Sequence, residues 1–207
     1  MSEQYFSDKP LSKQDVREFS AELAGRQFRF RTDAGVFSKD DVDPGSRLLI
    51  SVLPCRPGDR VLDVGCGYGP IGIAAAWLVA PTGTVLMVDV NPRAAALARH
   101  NLQMNGLTNA EVFVSDGLEG VPGVGVDWVV INPPIRAGKV VVRRLVAEAM
   151  ARLRPDGAML MVIRTKQGAK SMETYLDERY GRTTVLKKDG GFRVLQTVKS
   201  HESATKA

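Results

Sequence analysis

Val61-Leu62-Asp63-Val64-Gly65-Cys66-Gly67-Tyr68-Gly69-Pro70-Ile71-Gly72 is a short apolar run that ends in a glycine-rich turn and passes into a segment opened by proline. The run is short and rich in β-branched residues, so 61–64 reads as a strand buried on both faces. Proline suits the first turn of a helix, where its missing N–H would have no partner anyway, so 70–79 reads as a helix. A strand, a glycine turn and a helix N-terminus in succession bring backbone amides close to a ligand. Gly67-x-Gly69-x-x-Gly72 also fits the dinucleotide fingerprint, a weak match when taken alone. Asp63 argues against that ligand. A carboxylate two residues before the first glycine would repel a pyrophosphate, whereas it suits a cation.

Outward from this stretch the rhythm repeats. Segments 84–88, 110–114, 128–131 and 158–163 read as strands, and 92–104, capped by Asn91, and 139–153 as helices, with a turn at 154–157. A helix over 168–180 and a hairpin of 183–186 with 192–197 close the chain. Before the glycine turn, the sequence predicts a helix over 13–24, a half-exposed strand over 27–31 with a turn at Asp33-Ala34-Gly35, and a short helix over 44–53. Alternating strands and helices predict an α/β fold with a mostly parallel seven-stranded sheet, an antiparallel C-terminal hairpin strand and helices on both faces. We divide the chain into an N-terminal extension (1–25), one domain (26–200) and a C-terminal tail (201–207).

Chemistry-bearing residues fall at the strand ends, where open α/β sheets place their sites. Asp89 ends the second strand of the repeat and is placed to accept both hydroxyls of a ribose. Asp116 follows the third strand within Ser115-Asp116-Gly117. Asn132-Pro133-Pro134-Ile135 follows the fourth. Two prolines fix the backbone there and lack N–H donors, which leaves the Asn132 amide oxygen and the Pro133 carbonyl to accept from an NH2 group. Arg136 and Lys139, after this turn, and Arg164 and Lys166, after the fifth strand, are expected to form a basic rim.

Composition bounds the rest. The 207 residues are 44% hydrophobic and 25% charged, an ordinary globular balance with no window apolar enough for a membrane helix and no secretory pattern at Met1, so a cytoplasmic protein is expected. Two cysteines, Cys55 and Cys66, and two histidines, His100 and His201, make neither a zinc site nor a disulfide framework, so no metal is expected. Residues 136–207 hold 16 Lys and Arg against 7 Asp and Glu, while residues 1–135 hold 12 against 16. The basic final third suggests a surface that meets a polyanion.

The glycine turn with Asp63, Asp89 and Asp116, and the Asn-Pro-Pro element, resemble the class I methyltransferases that use S-adenosyl-L-methionine. Phe37-Ser38-Lys39, Asp43-Pro44-Gly45-Ser46-Arg47-Leu48-Leu49 and Asn132-Pro133-Pro134-Ile135-Arg136-Ala137-Gly138-Lys139 are similar to the small-domain methyltransferases. That group includes the catalytic half of the 16S ribosomal RNA guanine-N2 enzymes, and the likeness covers about 26–197. The resemblance implies a Rossmann-like fold. It implies a cofactor site from Phe37, Ser38, Asp63, Gly65, Cys66, Gly67, Tyr68, Gly69, Asp89, Val90, Ser115, Asp116, Gly117 and Asn132. It further implies catalysis by Asn132, Pro133 and Pro134, and RNA contacts by Ile135, Arg136, Lys139, Arg164 and Lys166. Ile135 stands where an aromatic would stack on a flipped base. The implied activity is N-methylation of an amino group in RNA, guanine N2 first; the oligomeric state is left open by the sequence, with a monomer favoured. The alternatives are methylation of a protein glutamine amide and an RNA-binding module without turnover.

Overall fold

A computed structural model describes residues 16–33, 41–123 and 125–199. Strands β1 (Arg17–Leu23) and β2 (Arg26–Thr32) form an antiparallel hairpin and are followed by helix α1 (Pro44–Ile50). The chain then runs β3 (Arg60–Val64), α2 (Pro70–Val79), β4 (Thr84–Asp89), α3 (Pro92–Met104), β5 (Ala110–Val114), β6 (Val126–Ile131), α4 (Lys139–Arg152), β7 (Leu153–Arg164), α5 (Ala169–Tyr180), β8 (Thr183–Asp189) and β9 (Phe192–Val198). Seven strands make one sheet in the order β5-β4-β3-β6-β7-β9-β8. The first five of that order are parallel, β9 runs antiparallel to β7, and β8, antiparallel to β9, returns to the common direction, so the sheet holds the one antiparallel C-terminal hairpin strand that the sequence predicts.

Side chains alternate along each strand between two cores. Val61, Val130, Leu160 and Val162 face α1, α2 and α3, while Leu62, Val64, Val129, Ile131, Met159, Met161 and Ile163 face α4 and α5. Helix α2 is buried nearly all round, and a Cβ at Gly72 would sit 2.7 Å from the Met87 side chain. Glycine there lets the helix lie close against β4. Because β4 and β5 extend the sheet on one side of β3 and β6 on the other, the connections part at the C-terminal end of β3. Open α/β sheets form their ligand crevice at such a point.

The N-terminal segment departs from expectation. The predicted helix over 13–24 is a strand where it is described, and its first residues lie outside the described part. Phe19, Ala21 and Leu23 alternate with exposed Glu18, Ser20 and Glu22, and Ala24 and Gly25, with φ of 48° and 74°, make a two-residue turn into β2. Positive φ at both positions matches the right-handed twist of a hairpin. Residues 17–25 thus belong to the same hairpin as β2 and form no helical extension. Phe28 and Phe30 are fully buried, each contributing about 2 to 3 kcal/mol. Phe30 meets Tyr68 of the glycine turn edge-on, with ring centroids 5.7 Å apart.

Asn101 of α3 and Asn105, which caps the C-terminus of that helix, finish the edge of β2. Asn105 accepts from Arg29 N at 3.0 Å and donates to Arg29 O at 2.8 Å, while Asn101 accepts from Arg31 N at 2.8 Å and donates to Arg31 O at 3.0 Å. Four helical residues rise about 6 Å and two strand residues about 6.8 Å, so a pair on α3 and its cap can match a pair on β2. Asn101 Nδ2 also donates to Tyr68 O at 2.9 Å, which ties the hairpin to the glycine turn.

The turn predicted at 154–157 is an irregularity within β7. Val126 pairs with Leu153 and Trp128 with Ala158, so the extra residues bulge out, with Asp156 at φ 62°. The turn predicted at 33–35 reaches into residues outside the described part.

Candidate functional site

A cleft of about 650 Å³ opens at the C-terminal ends of β3, β4, β6 and β7. Its floor is the glycine turn. Gly65, Gly67 and Gly69 have φ of 72°, 58° and 100°, conformations that L side chains rarely adopt, and the space a Cβ would take at Gly65 and Gly67 is open. Gly65 N and Cys66 N donate to Val88 O at 2.8 and 2.9 Å, which pins the turn to β4.

Asp63 lies under this floor and is 1% exposed. Its Oδ2 accepts from Gly72 N at 2.8 Å, whereas its buried Oδ1 has no hydrogen-bond partner. Burial pushes the carboxyl up to about 7, with the charge of Asp89 adding to the rise and the Gly72 N–H opposing it. An anion with one lone-pair edge unsatisfied is suited to a cation or an ordered water above it.

Asp89 closes the next side. Its Oδ2 accepts from Gly67 N and its Oδ1 from Asn91 N, both at 2.8 Å. Each oxygen retains a second lone pair, so two hydroxyls can still be received. Burial raises the pKa of Asp89, and the two backbone N–H groups hold it down in part. Asn91, which caps α3 through Arg93 N and Ala94 N, also lines the cleft. Burial, with Asp89 and Asp63 adding, pushes the Cys66 thiol well above its ordinary value, so this cysteine is no nucleophile.

Asn132 sits opposite the glycine turn, and its Nδ2 donates to Asp43 Oδ2 and to Ser46 Oγ, both at 3.0 Å. Both amide hydrogens are therefore occupied, and Oδ1 is the atom left to accept. The Pro133 carbonyl is not wholly free as the sequence reading has it. It accepts from Ile135 N at 2.8 Å, with Pro134 at φ −73° and ψ 75°, the geometry of an inverse γ-turn, and one lone pair remains.

The other expected residues divide. Cys66, Tyr68, Asn132, Pro133, Pro134, Ile135, Arg136 and Arg164 line the cleft with Gly65, Gly67 and Asp89, while Asp63 and Gly69 lie outside the lining. Lys139 instead lines a small neighbouring pocket between α4 and α5, and Lys166 lines neither. Asp116, which the resemblance puts in the cofactor site, is 72% exposed, pairs through Oδ1 with Arg144 at 2.5 Å and does not line the cleft. Ser115, Gly117 and Val90 lie beside the cleft and not in its lining. Phe37 and Ser38 fall outside the described residues. Asp127 belongs to the far end of β6, where it accepts from Arg60 N and pairs with Arg154.

The lining also holds residues that the sequence reading did not assign to the site, among them Asp43, Ser46, Gln167 and Phe192. Asp43-Pro44 signals a helix start, and Asp43 does cap α1. That cap signal hides its contact with Asn132. Phe192 begins β9 opposite Arg164 on β7, and the guanidinium stacks 4.5 Å from the ring centroid. Among the described residues no group of three or more His, Cys, Asp or Glu could hold a metal ion, and no helix is long and apolar enough to cross a membrane.

The family model described as the methyltransferase small domain matches residues 27–196. The chain belongs to that family. A Bacillus subtilis relative, described as uncharacterized protein YbxB, is 40% identical over 201 residues, 96% of this chain and 100% of its own. Ribosomal RNA small subunit methyltransferase C of Chromohalobacter salexigens is 38% identical over 174 residues, 80% of this chain and 50% of its own, so the chain spans about half of that relative. Among solved structures, the T. thermophilus 16S rRNA N2 G1207 methyltransferase RsmC, in complex with AdoMet and guanosine, matches with a TM-score of 0.80 at 31% identity. That match covers 92% of this chain and 52% of the other.

This methyltransferase uses S-adenosylmethionine, which supplies a methyl group on a positively charged sulfur. The residues present fit it. The orphaned Asp63 oxygen suits the positive amino-acid end, Gly65 and Gly67 leave room for close backbone approach, and Asp89 has lone pairs for a ribose. Replacing Asp89 by alanine should weaken cofactor binding by about 10- to 100-fold, the loss of one charge-assisted pair of contacts. Because Asp89 also holds Gly67 and Asn91, a lowered Tm should accompany it. Calorimetric titration and thermal melts read both, and unchanged affinity would remove Asp89 from the site.

Proposed function

We propose that this methyltransferase methylates an exocyclic amino group of an RNA base, with guanine N2 in ribosomal RNA as the acceptor. The observation that carries the reading is the Asn132 amide, whose hydrogens are consumed by Asp43 and Ser46 so that Oδ1 is left as an acceptor at the cleft. An NH2 group donating to that oxygen and to the remaining lone pair of Pro133 O is held with its nitrogen lone pair turned toward the donor side. Positioning of this kind needs no strong base, since the nitrogen becomes acidic once methylated. Ile135 and Phe192 offer apolar surface to the base. The working unit is taken as residues 26–200 together with β1, and the cytoplasmic location expected from the sequence goes with it.

Support for RNA comes from two sides. The C. salexigens relative is named for ribosomal RNA, and the Thermus neighbour holds guanosine. Arg136 and Arg164 line the cleft and are exposed. The test is transfer of labelled methyl to total RNA and to total protein, followed by nucleoside analysis. Label in N2-methylguanosine supports the reading, and label in glutamine alone overturns it. RNA affinity should fall steeply with salt, and Arg136→Gln or Arg164→Gln should each flatten the log–log slope by about 0.7 to 0.9. A slope unchanged by either substitution would take these arginines off the RNA.

A further inference from the structure

The contact between α1 and Asn132 joins residues 89 and 86 positions apart in the chain. Asp43 and Ser46 are buried, and both line the cleft. One oxygen, Asp43 Oδ2, accepts from Ser46 N at 2.9 Å and from Asn132 Nδ2 at 3.0 Å, so the cap of α1 and the hold on Asn132 are one device. Gly45 makes room for it. A Cβ there would lie 2.9 Å from Asp43 Oδ2 and 2.9 Å from the Phe192 ring.

The Asp43 carboxylate can only accept and so admits only the amide nitrogen, with Ser46 Oγ taking the second hydrogen, which decides the direction of the oxygen. The carboxylate does more than orient. An N–H given to an anion forms a stronger bond than one given to a neutral group, and hydrogen bonds in series polarise one another, so the amide oxygen gains strength as an acceptor.

We propose that Asp43 and Ser46 are positioning residues for methyl transfer, locking the Asn132 amide with its oxygen toward the acceptor nitrogen while the Asp43 charge strengthens that oxygen. The proposal rests on the role given to Asn132 above. Asp43→Asn retains an oxygen for the cap and for Asn132 but removes the charge, and Ser46→Ala removes one of the two acceptors. Each should lower kcat about tenfold, with the KM for S-adenosylmethionine and the Tm close to wild type.

A double-mutant cycle separates this role from a structural one. In an Asn132→Ala background neither substitution should lower kcat further, because the amide through which both act is gone. An equal fall in both backgrounds, or no fall in either, would overturn the proposal. Full turnover by Asn132→Ala alone would overturn the role of Asn132 itself, and the clamp with it, and that result is read before any second substitution is made.

Discussion

Asn132→Ala is expected to lower kcat by about two to three orders of magnitude, the usual loss when one preorganised polar group at a reacting centre is removed. In the proposed role the side chain meets the acceptor nitrogen and not the donor, so the fall should lie in kcat, with affinity for S-adenosylmethionine near normal. A loss of cofactor affinity is expected to be small for a second reason. Asn132 is held by α1, whereas the cofactor floor is held by β4 and α3 through Val88, Asp89 and Asn101. Single-turnover methyl transfer beside calorimetric titration makes the measurement. Normal turnover would reduce Asn-Pro-Pro to a turn, and lost cofactor binding would move Asn132 into the donor site.

Asp63→Asn is expected to push stability and binding in opposite directions. The folded protein holds the Asp63 proton up to about pH 7, against an ordinary value of 3.8. Between those values the folded state binds the proton and the unfolded chain releases it. Stability from this group is therefore full below about pH 4 and is lost as pH rises through 7, by about 4 kcal/mol in total. Asparagine removes that dependence. It can keep its oxygen on Gly72 N, though it then buries an NH2 where Oδ1 had no partner, which costs about 1 to 3 kcal/mol. The apo variant at pH 8 should thus gain about 2 kcal/mol, or roughly 4 to 8 °C in Tm.

If Asp63 receives the positive end of the cofactor, the same substitution removes that anion, and affinity should fall about 10- to 100-fold. For the wild-type protein, affinity should rise as pH increases toward 7, because Asp63 must shed its proton to receive a cation, and the variant should lose that rise. Melts and titrations at pH 6 and pH 8 check both halves. A wild-type affinity flat across that range would show that Asp63 does not meet the charge. An unusually placed acid of this kind is what a binding site retains at the expense of the apo fold.

The parallel core and the floor of the cleft were legible in the chain itself. A strand buried on both faces must be a continuous apolar run, a turn with left-handed backbone asks for glycine, and a helix beginning in a turn asks for proline or a cap. These demands are local, so residues 61–72, the strand-end acids Asp63 and Asp89 and the Asn-Pro-Pro turn announce themselves. The start of the chain did not. Glu18 and Glu22 are spaced as on a helix face, and only pairing with β2, together with the Asn101 and Asn105 rungs from α3 and its cap, makes the alternation of Phe19, Ala21 and Leu23 decisive. Propensity is a weak preference that a partner strand overrides. Likewise Asp43 and Ser46 read as an ordinary helix start, Phe192 as a hairpin residue and Asp116 as a strand-end acid of the cofactor site. Tertiary packing alone brings the first two onto Asn132, sets Phe192 beneath Arg164 and gives Asp116 to Arg144. The physical reason is that a hydrogen bond or a stacked ring acts over about 3 to 5 Å of space, and the folded sheet, not the spacing along the chain, decides which residues come that near.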